Sequence, residues 1–165
     1  LGVGAFHRAH QAVYLDDILA TDPQWAIAGA SLRRADMRDA LAPQDNLFTV
    51  AFRSGEGAQL RVIGSLKAIH VAPQDPEALL AQMCDPAVRI VSLTITEKGY
   101  CHDPATGDLN PAHPDIVADL ENPRAPTTAP GLIAEALRRR PRALRRKRRR
   151  LRRHHGRPHR AGHQR

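Results

Sequence analysis

The chain opens on LGVGAFHRAHQAVYLDD, with Gly2 and Gly4 two positions apart where a strand should pass into a helix. Glycine at such a turn takes backbone angles closed to other residues, and its missing side chain lets a phosphate approach the main chain. The amides of the following helix then face the anion. The generic dinucleotide fingerprint has a third glycine where this chain has His7, so the pair by itself fits a ligand-free turn equally well. A second candidate is Asp36, just past the next apolar run, where an acid would hold the adenosine ribose hydroxyls; it could instead cap the short helix that follows. Beside it, Arg33 and Arg34 would suit a 2′-phosphate, which Asp36 would repel. The third locus is Thr96–Glu97–Lys98, at the end of the apolar run Arg89–Thr96, where Glu97 could relay a proton beside a bound ligand. His7 and His10 lie three apart but lack a third ligand nearby, and Cys101, His102, Asp103, Asp108 and His113 match no standard cluster, so no metal site is expected.

These residues need elements to hold them. The first helix carries Ala9, Val13 and Ile18–Leu19 on one side, and Trp25–Leu32 reads as a buried parallel strand. Leu47–Arg53 and Gln59–Leu66 alternate as a hairpin around Ser54–Gly57. Asp75–Pro76–Glu77 starts a helix that runs to about Cys84. Arg89–Thr96 is a further buried-strand candidate, and Pro104–Gly107 a turn. Thr127 or Thr128 caps a last helix from Ala129 to about Arg140, with an apolar stripe of Leu132, Ile133, Ala136 and Leu137. The pattern is α/β, a doubly wound Rossmann-like sheet. Leu1 would be the last residue of the strand that delivers the glycine turn, so the sheet is expected to be truncated there.

The overall charge of +8 conceals two regions. Residues 138–165 carry 15 of the 25 Lys and Arg and no acid, whereas the body is acidic. From Pro141 only Pro, Arg, Ala, Leu, Lys, His, Gly and Gln occur, an alphabet that cannot bury a core. We therefore divide the chain into a partial Rossmann-like domain, 1–140, and a disordered basic tail, 141–165, of the kind an out-of-frame reading of GC-rich DNA produces. Such a tail would bind nucleic acid non-specifically through phosphates. Cys84 and Cys101 stand in no metal or redox spacing and fit buried thiols. No apolar run approaches a membrane span, so a cytoplasmic protein without a membrane partner is expected.

The string GxGAFHRAHQAxY, with RVIGSLKAI at 61–69, IVSLTITEKGYC at 90–101, the ATG at 105–107 and HPDIVADLENPRAPTT at 113–128, resembles the long-chain polyol dehydrogenases, the mannitol dehydrogenase and fructuronate (mannonate) reductase group. The resemblance covers about residues 1–140. It implies an NAD-dependent oxidoreductase, with NADP as the other possible cofactor, acting on a small polyol or sugar acid by hydride transfer at a secondary carbon. On it, Gly2, Gly4, Phe6, His7 and Arg8 would seat the pyrophosphate, Asp36 the ribose, and Thr96 and Glu97 would lie near the nicotinamide. Relatives of the mannitol type would carry an acidic pair at 35–36, of which only Asp36 is present. The family's principal lysine, asparagine and histidine belong to segments this sequence does not contain, so turnover by the chain alone is not expected. TEKGYC and LENPRAP lean toward the sugar-acid branch, where Lys98 would attract a carboxylate. The alternatives are a non-catalytic cofactor-binding remnant and a nucleic-acid binder.

Overall fold

The computed structural model describes residues 1–55 and 57–140; the basic tail expected at 141–165 lies outside them. The glycine turn leads into α1 (Ala5–Ala9) and α2 (Gln11–Leu19). The helix expected to run unbroken from the turn is interrupted at His10, whose backbone leaves helical angles at φ −124°, ψ −78°. Its inner side is Ala12 and Val13, while Ile18 is exposed.

The apolar run after the turn forms β1 (Ile27–Ser31), followed by α3 (Asp36–Leu41). β2 (Phe48–Ser54) and β3 (Gly57–Ile63) make the expected hairpin, an antiparallel ribbon paired from Phe48↔Ile63 to Ser54↔Gly57. The second arm was expected to continue to Leu66. It stops at Ile63 because the chain changes partners: Gly64 N donates to Asp16, the Ser65 hydroxyl donates to Ala12 O at 2.7 Å, and Leu66 starts a new strand, β4 (Leu66–Val71). β4 pairs in parallel with β1 from Ile27↔Leu66 to Ser31↔Val71.

Helix α4 (Pro76–Cys84) begins as expected, with Asp75 accepting from Ala78 N at 2.8 Å and Pro76 in the first turn. α5 (Pro114–Glu121) has a similar start, in which His113 Nδ1 accepts from Asp115 N. The last described element, α6, is helical over residues 129–140. Thr128 caps it by accepting from Gly131 N at 3.0 Å. Its inward stripe includes Leu132, Glu135 and Ala136, and Leu137 faces out at 64% exposure, unlike the stripe expected. No helix among the described residues is long and apolar enough to cross a membrane.

Alternation along β1 and β4 separates two apolar clusters. Val3, Ala12, Val13, Leu41, Phe48, Ile63, Leu66 and Ile69 form one, with Ile27 against it. The other joins Ala30 and Ala72 to α4 and α6 through Leu79, Leu80, Met83, Cys84, Leu132 and Ala136. Helices thus cover both faces of a parallel pair, the doubly wound, Rossmann-like arrangement. Cys84 and Cys101 are both buried free thiols.

Arg89–Thr96 does not form the buried strand expected. Its ladder contacts are Leu1 N donating to Ser92 O at 2.5 Å and Thr94 N donating to Leu1 O at 2.9 Å. Ile90 stays 71% exposed.

Candidate cofactor-binding site

Gly2 and Gly4 turn out to be glycine for different reasons. Gly2 has φ +93°, a region that favours glycine, and a Cβ there would stand 2.8 Å from the Thr94 carbonyl oxygen. Its N–H donates to Ala30 O at 2.8 Å, and its own carbonyl accepts from the Thr94 hydroxyl at 2.7 Å. Gly2 is therefore pinned between the end of β1 and the 92–94 segment. Gly4 is unconstrained by either argument. Its backbone is extended at φ −66°, ψ −178°, and a Cβ would meet no protein atom within 4 Å. The space over Gly4 is open, as a main-chain seat for a phosphate requires.

The three residues that follow the turn diverge in environment. Phe6 is 65% exposed, its ring 4.5 Å from that of His10. His7 is buried, and its Nδ1 has no hydrogen-bond partner among the described residues. Burial lowers its pKa. Arg8 points inward. Its guanidinium donates to Val3 O at 2.7 Å and to the Met37 sulfur at 3.0 Å, and lies 6.0 Å from the centre of the Phe48 ring. In this arrangement Arg8 ties the glycine turn to α3 and the ribbon, which is a positioning role.

At the carboxyl end of β1 the Ser31 hydroxyl donates to Arg34 O at 2.5 Å, closing a tight turn that presents Arg33 and Arg34 to solvent. Asp36 is the first residue of α3. Ala35 occupies the capping position and no side-chain cap bond forms, so the helix-cap alternative for Asp36 is not realised. Its carboxylate lies 3.5 Å from Arg34 Nε, with both side chains largely exposed.

Thr96 precedes a single 3₁₀ turn, Glu97–Tyr100, and accepts from Gly99 N at 2.8 Å. Glu97 faces solvent and pairs with His102 Nε2 at 3.4 Å. Lys98 is exposed and has no side-chain partner among the described residues. Gly2 and Thr94 touch, so the segment that leads to Thr96 and Glu97 departs from the wall of the glycine turn. Sequence reasoning missed Thr94: one threonine in SLTIT carries no signal until Gly2 is beside it. Two clefts lie elsewhere. One of about 390 Å³ sits at the ribbon tip, among residues such as Phe52 and Gln59, and one of about 250 Å³ lies between α5 and α6, among Ile116, Leu120 and Ala134. Neither includes a residue of the turn.

A parallel sheet with helices on both faces, a glycine turn at one strand end and an acid past the next strand define a Rossmann-type α/β domain with the features of a dinucleotide site. The Rossmann domain of mannitol dehydrogenase matches residues 1–147, and the chain belongs to that family. Mannitol 2-dehydrogenase of Cereibacter sphaeroides is 51% identical over 144 residues, which cover 85% of this chain and 30% of that protein. YdfI, an uncharacterized oxidoreductase of Escherichia coli, is 52% identical over 144 residues, 85% of this chain and 29% of its own. The structure of Pseudomonas fluorescens mannitol 2-dehydrogenase, a ternary complex with NAD and D-mannitol, superposes with a TM-score of 0.80 at 43% identity, covering 87% of this chain and 30% of that one. The chain thus spans about 30% of the length of these relatives.

Proposed function

We propose that this chain is the NAD-binding part of an oxidoreductase that moves hydride between the nicotinamide and a secondary carbon of a polyol or sugar acid. The observation that carries the proposal is Gly4: no protein atom stands over it, so its main chain is open to a ligand phosphate. When bound, the nicotinamide supplies the hydride acceptor. The residues of this chain bind and orient it. The main chain at Gly4 would take the pyrophosphate, Asp36 the adenosine ribose, and the segment Thr94–Glu97 would border the nicotinamide half. Arg8 keeps the turn in shape through Val3.

Glu97, paired with His102, would relay a proton at the solvent end of this segment. Lys98, exposed and without a side-chain partner among the described residues, offers an ammonium to a substrate carboxylate, which supports an aldonate beside a neutral polyol. The mannitol-type relatives support the polyol.

The test is a titration of the protein with NADH, followed by nicotinamide fluorescence. Saturable binding in the micromolar range supports the proposal. No binding up to millimolar NADH overturns it.

A further inference from the structure

The surroundings of Asp36 hold more positive charge than a pocket for an unphosphorylated ribose needs. Three guanidinium groups, on Arg33, Arg34 and Arg38, stand with two carboxylates, on Asp36 and Asp39, in one turn and the helix it opens. These groups are not equivalent. Arg38 is committed: it donates to Asp39 Oδ1 at 2.9 and 2.7 Å and to Gln74 Oε1 at 2.5 Å, which ties α3 to the segment after β4. Arg33 makes no hydrogen bond or ion pair among the described residues. Arg34 has only its Nε near Asp36, at 3.5 Å, and its two terminal nitrogens are without partners among the described residues.

The Arg34–Asp36 pair is weak because it is exposed, the side chains being 82% and 63% accessible. It still matters for ligand choice. A lone carboxylate beside the ribose 2′ position repels a phosphate there; one that faces a guanidinium repels it much less. The planar fork left on Arg34 can also take two phosphate oxygens at once. The Ser31–Arg34 hydrogen bond fixes the backbone from which that fork projects, beside the strand end that holds Gly2.

We propose that the adenosine end of this site accepts a 2′-phosphate, so that the protein binds NADP(H) as well as NAD(H), and that Arg34 is the residue that sets the balance, with Asp36 opposing it. The inference rests on the dinucleotide site proposed above. A 2′-phosphate draws Arg34 away from Asp36, and an unphosphorylated ribose leaves the pair intact and hydrogen-bonds the carboxylate instead.

Calorimetric titration of the protein with NAD⁺, NADP⁺, 5′-AMP and 2′,5′-ADP tests this without turnover. The expected result is that NADP⁺ binds no more than about tenfold more weakly than NAD⁺, and that Arg34→Ala shifts the ratio of the two dissociation constants at least about tenfold toward NAD⁺. Arg34→Lys should recover part of that shift, and Asp36→Asn should move the ratio toward NADP⁺. The preference for 2′,5′-ADP over 5′-AMP should also weaken as salt rises. NAD⁺ binding with NADP⁺ weaker by more than about tenfold, or a ratio unmoved by Arg34→Ala, overturns the inference and leaves the dinucleotide site standing. Failure of all four ligands to bind overturns both.

Discussion

Alanine at Gly2 and alanine at Gly4 should have opposite consequences, although the two positions belong to one turn. At Gly2 the φ of +93° costs an alanine about 1–2 kcal/mol relative to glycine. The new Cβ also lies 2.8 Å from the Thr94 carbonyl oxygen, a backbone atom that cannot swing aside, and such overpacking adds about 1–3 kcal/mol. With a total near 3 kcal/mol, a domain of this size should melt about 6–12 °C lower. Gly4→Ala meets no protein atom. The reduced freedom of the unfolded chain contributes about 0.4–1 kcal/mol, which the poorer helix-capping of alanine offsets, so Tm should stay within about 2 °C. Its methyl group instead stands between the main chain and a phosphate, and loss of one charge-assisted hydrogen bond should weaken NADH about tenfold or more. Thermal melts by circular dichroism and NADH titrations of both variants separate the effects. Wild-type affinity in Gly4→Ala would refute the phosphate seat, and wild-type stability in Gly2→Ala would refute the crowding against Thr94.

Other positions offer sharp checks. Glu135 is 3% exposed on α6 and holds Arg138 at 2.5 Å and Arg139 at 2.6 Å, while Arg139 reaches Glu77 on α4. Because both arginines can still turn to water, Glu135→Ala should cost about 2–3 kcal/mol, less than a fully enclosed pair. The hydrogen bond from Arg138 first, and that from Arg139, hold the Glu135 carboxyl at about 2 against an ordinary 4.5. The stabilisation is therefore complete above pH 4.5 and is lost as pH falls toward 2, so urea melts of wild type and variant should converge over that window. For His7, whose pKa burial lowers, the sign is set by the unfolded chain, which takes up a proton below the ordinary 6.5 while the folded imidazole resists. Stability should fall as pH drops below 6.5, and His7→Asn should flatten that slope between pH 7 and 5; an unchanged slope would assign it to other groups. Arg61 joins the ribbon to α2 by bonds to Asp17 at 2.5 Å and Asp16 at 2.8 Å. Arg61→Lys cannot span both carboxylates and should lower the midpoint of chemical denaturation, with Asp16→Asn in the same background adding little if the contact is the cause.

Much of the fold was legible because its signals are local. The Asp75–Pro76 start of α4, the hairpin around Ser54–Gly57 and the apolar run of β1 each depend on residues within one turn or one strand. The start of α5 is equally local, in His113–Pro114–Asp115, but histidine is not among the usual helix caps, so the sequence does not announce it. The split of Gln59–Leu66 into β3 and β4 was not local. Ser65 leaves the ribbon because Ala12 O, far away in sequence, accepts its hydroxyl.

By itself the sequence determined the kind of turn at the start of the chain, the acid past β1, the family and the layered α/β plan, because periodicity, caps and motif strings are properties of neighbours. Tertiary structure alone decided why Gly2 is glycine, since Thr94 becomes its wall only when the chain has returned beside β1. It also turned Arg8 inward to Val3 and set Arg34 against Asp36. On α6 it made Glu135 the buried residue where Leu137 was expected, because two arginines of the same helix neutralise the acid. Asp119 shows the same dependence. Buried on α5, it accepts four hydrogen bonds from the amides and hydroxyls of Thr127 and Thr128, and lies so close to Gly131 that no side chain fits there. Spacing along a chain states which groups are present; which of them meet, and which stay open to a ligand, depends on contacts that form only when distant segments pack.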